Sequence, residues 1–480
     1  MRAILVSLCV VVLSPIGFLA QNDLGVTDTT LAFTHVGVID ATGTPVQPDM
    51  TVIVTGNRIT AIGKTGSVAI PQNALIADST GKFMIPGLWD MHQHAFMRKN
   101  KLLPLLSLWG DIINGVTGVR DMGDQGIPDD FGDLPMIQDF EWRQAIQAGA
   151  VLGPRLVLGG AILEGPPSPR KGWPEIRTET EARQEVQFLK KFGVDFIKVH
   201  DSLPREAYFA LADESKKQGL VFAGHVTSTV SVAEASDVGQ KSQEHLLGIL
   251  VGCSTQEPAM MKAVTETGLP ANIRTLVDTY SADKCKALYA KFVKNNTYIT
   301  PSFLREMGGL APKDLNDPRL AYASPALRAE FEAGVKNFKP QGSANSRLLH
   351  ETHYKVVREM QAAGVKLMAG TDGRLFGFDL HDELEELVKA GLTPMQALQT
   401  ATRIPTEYLG LHGSLGTIEK GKLADLVLLD ANPLASITNA TKIRAVVVNG
   451  RLLDRKALDR MEAQMKEAAN PRPVAGRSGQ

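Results

Sequence analysis

The chain has 480 residues, too many for one small domain; at roughly 150 residues per domain it makes two or three domains, or one large α/β barrel with an appendage. Lysine plus arginine number 51 against 52 acidic residues, a formal charge of −1 with no long run of either sign. That balance argues against electrostatic capture of nucleic acid or of an anionic membrane.

Residues Met1–Ala20 run from Arg2 through an apolar stretch, Ala3–Leu13, to Ser14-Pro15 and a small-residue end. This is the order of a secretory signal peptide, and the apolar stretch is too short to span a bilayer comfortably. Export to the periplasm or medium is therefore expected, with no membrane attachment once the signal is removed. Cys9 leaves with the signal, so Cys253 and Cys285 remain. An even count in an oxidising compartment permits a disulfide, and two buried thiols are the alternative.

Leu31–Asp40 and Thr51–Ile62 alternate apolar and polar residues around the turn formers Gly43-Thr44-Pro45 and Gly56-Asn57, which predicts a β-meander. The texture returns at Leu423–Leu429 and Ile443–Val448, followed by the hairpin dipeptide Asn449-Gly450. Both flanks, 26–85 plus 408–456, are predicted to build one small β-sandwich domain. Between them, across 86–407, short apolar strands alternate with helix-period segments such as Thr178–Phe192 and Pro204–Gln218. Eight strands are predicted: Phe83–His94, Gly115–Gly123, Arg155–Gly160, Asp195–His200, Val221–Val226, Ser242–Leu247, Tyr298–Phe303 and Lys366–Asp372. Eight is the number that closes a (β/α)8 TIM barrel. The end, 469–480, is rich in Pro, Gly and Arg and reads as a flexible tail.

Barrel active sites lie at the carboxyl ends of the strands. Here those ends carry metal-ligand types: His92 and His94 on one face of the first strand, Lys198 in the fourth, His225 after the fifth, His245 after the sixth and Asp372 after the eighth. His35, His350, His353, His381 and His412 are assigned structural roles. Lys198 stands in an otherwise apolar strand, where an unpaired ammonium is costly, so it must be paired, neutral or modified. A neutral amine can add carbon dioxide to give an N6-carboxylated lysine; a salt bridge to Asp195 or Asp372 is the plainer reading.

These residues carry a resemblance. Pro86-Gly87-Leu88-Trp89-Asp90-Met91-His92-Gln93-His94, Gly115-Val116-Thr117-Gly118-Val119-Arg120-Asp121, Ile197-Lys198-Val199, His225, His245, Gly370-Thr371-Asp372-Gly373 and the segment Gly416–Val427 together resemble the amidohydrolase superfamily. The similarity is to its binuclear, carboxylated-lysine branch of prolidase-like and imidazolonepropionase-related enzymes. It implies two divalent metal ions, one on His92, His94 and Asp372 and one on His225 and His245. Carboxylated Lys198 and a hydroxide would bridge them, and Asp372 would shuttle the proton. Zinc is the default ion, and manganese or cobalt fits the same donors. The implied reaction is hydrolysis of an amide bond in a dipeptide or N-acyl amino acid; the alternatives are a lactone or cyclic-amide hydrolase using the same site, or a non-catalytic barrel scaffold.

Two departures blur the substrate. Gly159-Gly160-Ala161 stands where dipeptide-cleaving relatives often have Gly-Gly-His, and Thr227 follows His225 where an aromatic or imidazole residue is usual. His200, which shares strand parity with Lys198, and Arg374 are the candidate substrate contacts. Ser228 stands where the family's deaminases place an acidic residue. Barrels of this kind often form homo-oligomers, and no interface is readable from one chain.

Overall fold

The computed structural model describes residues 30–96, 104–124, 135–267, 273–306, 315–337 and 343–470. The predicted signal, 1–20, lies outside them, as does the predicted tail beyond Asn470; the helix Arg455–Ala469 ends where that tail was expected to begin.

The amino-terminal strands are β1 (Leu31–Val38), β2 (Gln47–Thr55), β3 (Arg58–Lys64), β4 (Leu75–Asp78) and β5 (Phe83–Pro86). At the other end the strands β15 (Leu426–Leu429), β16 (Ile443–Val448) and β17 (Arg451–Leu453) complete the same sheet. Its order is β17-β16-β15-β5-β1-β2-β3, with β4 beside β1. The pairing is thus one eight-stranded sheet drawn from both flanks, where two packed layers were expected. Some of its apolar residues, among them Phe33, Val52, Leu426 and Val447, form one buried cluster, while Ile85, Val427 and Val446 belong to the larger core. The β16–β17 hairpin turns on Asn449 (φ 49°) and Gly450 (φ 83°), the left-handed pair that the dipeptide predicts. A Cβ on Gly450 would lie 2.0 Å from Gly56 O, so the two turns pack backbone to backbone, and Asn57 Nδ2 donates to Asn449 Oδ1 at 3.2 Å.

Two parallel sheets form the centre. One holds β6 (Leu88–Gln93), β7 (Val116–Asp121) and β8 (Arg155–Leu158). The other runs through β9 (Ile162–Leu163), β10 (Phe196–Val199), β11 (Val221–Gly224), β12 (Ser242–Glu244), β13 (Tyr298–Thr300) and β14 (Lys366–Leu367). Every predicted strand is present, but the ladders do not join into one closed barrel. At the seams the sheets meet by isolated contacts: a bridge between Asp124 and Ala161, and Met91 N–H donating to Ala369 O at 2.9 Å. Phe83–His94 is two strands, divided at Gly87. There a Cβ would lie 2.0 Å from Thr117 Oγ1, and only glycine lets the chain cross from the outer sheet to the inner one.

The crossover helices follow their sequence signals. Glu179–Phe192 is capped by Thr178, buries Ala182, Val186 and Leu189, and stops at Gly193 (φ 99°); Arg205–Gln218 stops at Gly219 (φ 65°). Cys253 and Cys285 are bonded, with Cα atoms 4.7 Å apart, tying the end of the helix Leu247–Gly252 to the helix Ala282–Asn295. Among the described residues no helix is long and apolar enough to cross a membrane.

Candidate metal centre

Buried parallel strands must satisfy their polar side chains internally, and here they do so by fixing histidines. His92, at the end of β6, is fully buried; its Nδ1 lies 3.1 Å from Glu244 Oε2. His94 Nδ1 lies 2.9 Å from Gly123 O, His225 Nδ1 2.7 Å from Asp201 Oδ1, and His200 Nδ1 2.6 Å from Glu164 Oε2. Carboxylates and carbonyls only accept, so each ring donates through its Nδ1–H, and His92, His94 and His225, when neutral, present an Nε2 lone pair. Burial is the chief cause that holds His94 down to about 4 and His245 to about 3, and that pushes His92 and His225 well below the ordinary imidazole value. Neutral imidazole is the form that donates to a metal.

The predicted ligands come together. Donor atoms of His92, His225 and His245 lie within 4.8 Å of one another, and so do those of His92, His94 and Asp372. His245 Nε2 stands 3.1 Å from His225 Nε2 and 3.7 Å from Asp372 Oδ2, and Asp372 Oδ1 is 3.7 Å from His94 Nε2. His245 (φ 70°) and Asp372 (φ 46°) both hold left-handed backbone, a conformation that costs free energy at a non-glycine residue and recurs at functional sites. Lys198, on β10, is fully buried, and its Nζ has no hydrogen-bond partner. Burial lowers it to about 8, opposed by Glu244 and Asp372. The salt bridge to Asp195 is not formed, since that carboxylate accepts from Arg143 and from Leu158 N–H. His92 Nε2 is likewise buried without a partner. A lone pair and an amine left unsatisfied among neutral imidazoles and a carboxylate fit a cation site.

Besides Glu244 and Asp201, three supporting residues escaped the sequence reading. Asp90 accepts from His92 N–H and Thr371 N–H, both at 3.0 Å, and from Thr371 Oγ1 at 2.8 Å, buckling β6 to the segment that carries Asp372. Arg120, fully buried, donates to Glu244 Oε1 at 2.8 Å and to Met91 O at 2.6 Å. Arg305, in the short helix Phe303–Glu306, places Nε 3.1 Å from Asp372 Oδ2. The available signals were Arg120 inside a quoted motif and Glu244 directly before a predicted ligand.

A cavity of about 260 Å³ opens over the cluster, lined by His94, His200, His225, Arg305 and Asp372 with Phe96, Trp173, Tyr322 and Leu327. His200 stacks on His225 (ring centroids 4.2 Å apart) and packs against Trp173. Arg374 also lines the cavity, with its guanidinium paired to Glu330. Of the histidines assigned structural roles, His35 pairs with Asp49 and His381 meets Asn114 O, both away from the cavity.

The family model for the Amidohydrolase family matches residues 83–453. Ochratoxinase from Aspergillus niger is 21% identical over 421 residues, 76% of this chain and 73% of its own. Imidazolonepropionase from Maricaulis maris (strain MCS10) is 39% identical over 93 residues, 18% of this chain and 23% of its own. The crystal structure of a Xaa-Pro dipeptidase with bound methionine in the active site superposes with a TM-score of 0.63 at 21% identity, covering 89% of this chain and all of that one. The chain belongs to the amidohydrolase family, with prolidase-like and imidazolonepropionase-related members among its relatives.

Proposed function

We propose that the chain is a metal-dependent hydrolase that cleaves the amide bond of a dipeptide or an N-acyl amino acid. The observation that carries this reading is the convergence of His92, His94, His225, His245 and Asp372 beside Lys198, with His94, His225 and Asp372 lining the cavity. Membership of the amidohydrolase family and the shared fold with a Xaa-Pro dipeptidase support C–N bond cleavage. His92, His94 and Asp372 would hold one divalent ion and His225 and His245 a second, with Lys198 between them as its carbamate. That modification needs the neutral amine: nitrogen bonds to the carbon of carbon dioxide, a proton leaves, and a carboxylate ligand results. Burial, which lowers the proton affinity of Lys198, favours it.

When bound, divalent ions supply Lewis acidity that makes water a nucleophile near neutral pH and polarises the scissile carbonyl. Asp372 takes the proton that the attacking water loses and delivers it to the amine nitrogen as the C–N bond breaks, so that amide and water become carboxylic acid and amine. The aromatic wall of Phe96, Trp173 and Tyr322 suits an apolar group on the substrate. Export is part of the proposal, and the Cys253–Cys285 bond supports an oxidising compartment.

The test is a hydrolysis screen of N-acyl amino acids, dipeptides and lactones with metal-replete protein. Amide cleavage that disappears on chelation and returns with zinc, manganese or cobalt is expected. Cleavage of lactones alone would overturn the amide assignment. Failure to bind any divalent ion, with no activity in excess metal, would leave a scaffold.

A further inference from the structure

We infer that Arg305 is the specificity-determining residue of this site and that it selects substrates bearing a free carboxylate next to the scissile amide. The inference deepens the hydrolase reading and rests on it. Two cavities meet at the metal centre. The one already described has the aromatic wall; the second is lined by Thr227, Ser228, Leu247 and Met261, and the two share His225 and Arg305. A substrate lying across the junction therefore has its scissile bond beside the guanidinium whichever way round it binds.

The guanidinium is available for that task. It is about half exposed (56%), and among the described residues its ion pair is with Asp372, at 3.1 Å. Under the proposed chemistry Asp372 is given over to a cation, which leaves a permanently charged guanidinium beside positive charge and in want of an anion. A carboxylate one or two bonds from the amide nitrogen answers both the charge and the bidentate geometry. The residue is also firmly mounted. Glu383, fully buried on the helix Phe378–Lys389, accepts from Phe303 N–H at 3.1 Å and Leu304 N–H at 3.2 Å, fixing the start of the short helix that presents Arg305.

The experiment compares wild type, Arg305→Met and Arg305→Lys on N-acyl amino acids and on the same compounds as carboxamides. Calorimetric binding of the product amino acid and of its carboxamide is measured alongside. Wild type should prefer the free acid in kcat/KM and in binding. Arg305→Met should lose about 10- to 100-fold more on the acid than on the carboxamide, bringing the two level, while Arg305→Lys keeps part of the preference. Circular dichroism of the two variants separates misfolding from lost recognition. If Arg305→Met discriminates acid from carboxamide as wild type does, the assignment of Arg305 is wrong, and equally so if wild type cleaves amides without any such preference. If wild type cleaves no amide but binds the acid selectively through Arg305, the hydrolase reading falls and the anion site stands.

Discussion

The floor of the site and its rim are built on different principles. On the floor, Asp90, Arg120, Glu244, His92 and Lys198 are excluded from water, and all but Lys198 Nζ and His92 Nε2 are locked by bonds that cross from strand to strand. On the rim, Arg305 and Arg374 sit about half in solvent, each with one carboxylate partner among the described residues. A low-dielectric floor gives each charge a large effect and permits little substitution; a wet rim can change its residues at small cost. Chemistry therefore belongs to the floor and substrate choice to the rim.

Lys198→Ala should break this contrast most severely, removing the bridging position and at least about 1,000-fold of activity. Partial recovery with an added short carboxylate is expected; full activity without it would remove Lys198 from the mechanism. Glu244→Gln comes next. It strands the Arg120 charge in the interior, which costs about 3–5 kcal/mol on urea unfolding, and frees His92 Nδ1, which weakens metal affinity about 10- to 100-fold by competition with a chelating dye. Replacing Glu244 and Arg120 together by apolar residues should be milder for stability yet equally damaging to metal binding, and that divergence separates the two roles of the carboxylate.

Removing the Cys253–Cys285 bond by a paired Ser substitution should cost about 2–4 kcal/mol of stability with little change in metal affinity, since the bridge lies on the helices outside the floor. The smallest effect concerns pH. Burial raises Glu383 from 4.5 to about 8. The folded chain thus keeps a proton that the unfolded chain releases above about 4.5, and the stability from this group is complete below that pH and is lost as pH rises through about 8. Glu383→Gln should flatten that part of the urea-midpoint profile; an unchanged slope would mean that Glu383 ionises normally.

The inner strands were legible because strands covered on both faces read as apolar runs, and five of the eight predicted runs carry a His, Lys or Asp of the site in or just after their carboxyl halves. β9 escaped because two residues, Ile162 and Leu163, carry no period. The split at Gly87 was invisible since both halves are apolar, and what separates them is the close approach of Thr117. Closure was over-read: eight strand signals say nothing about ladders that stop at Asp124–Ala161 and Met91–Ala369. The metal-ligand types announced themselves by identity and position, whereas Arg120, Glu244, Asp201 and Arg305 did not. A charged residue's partner is decided by which strands become neighbours, and Arg120 finds its carboxylate on a strand remote in sequence.

β5 pairs with β1 through only two residues, and all four of its positions pair with β15 near the other end of the chain. During synthesis that strand edge stays open until the last segments emerge, an edge able to attract wrong partners. Truncation after the barrel strands would accordingly damage the amino-terminal half first, and a holding factor that shields nascent β5 would raise the yield of native protein.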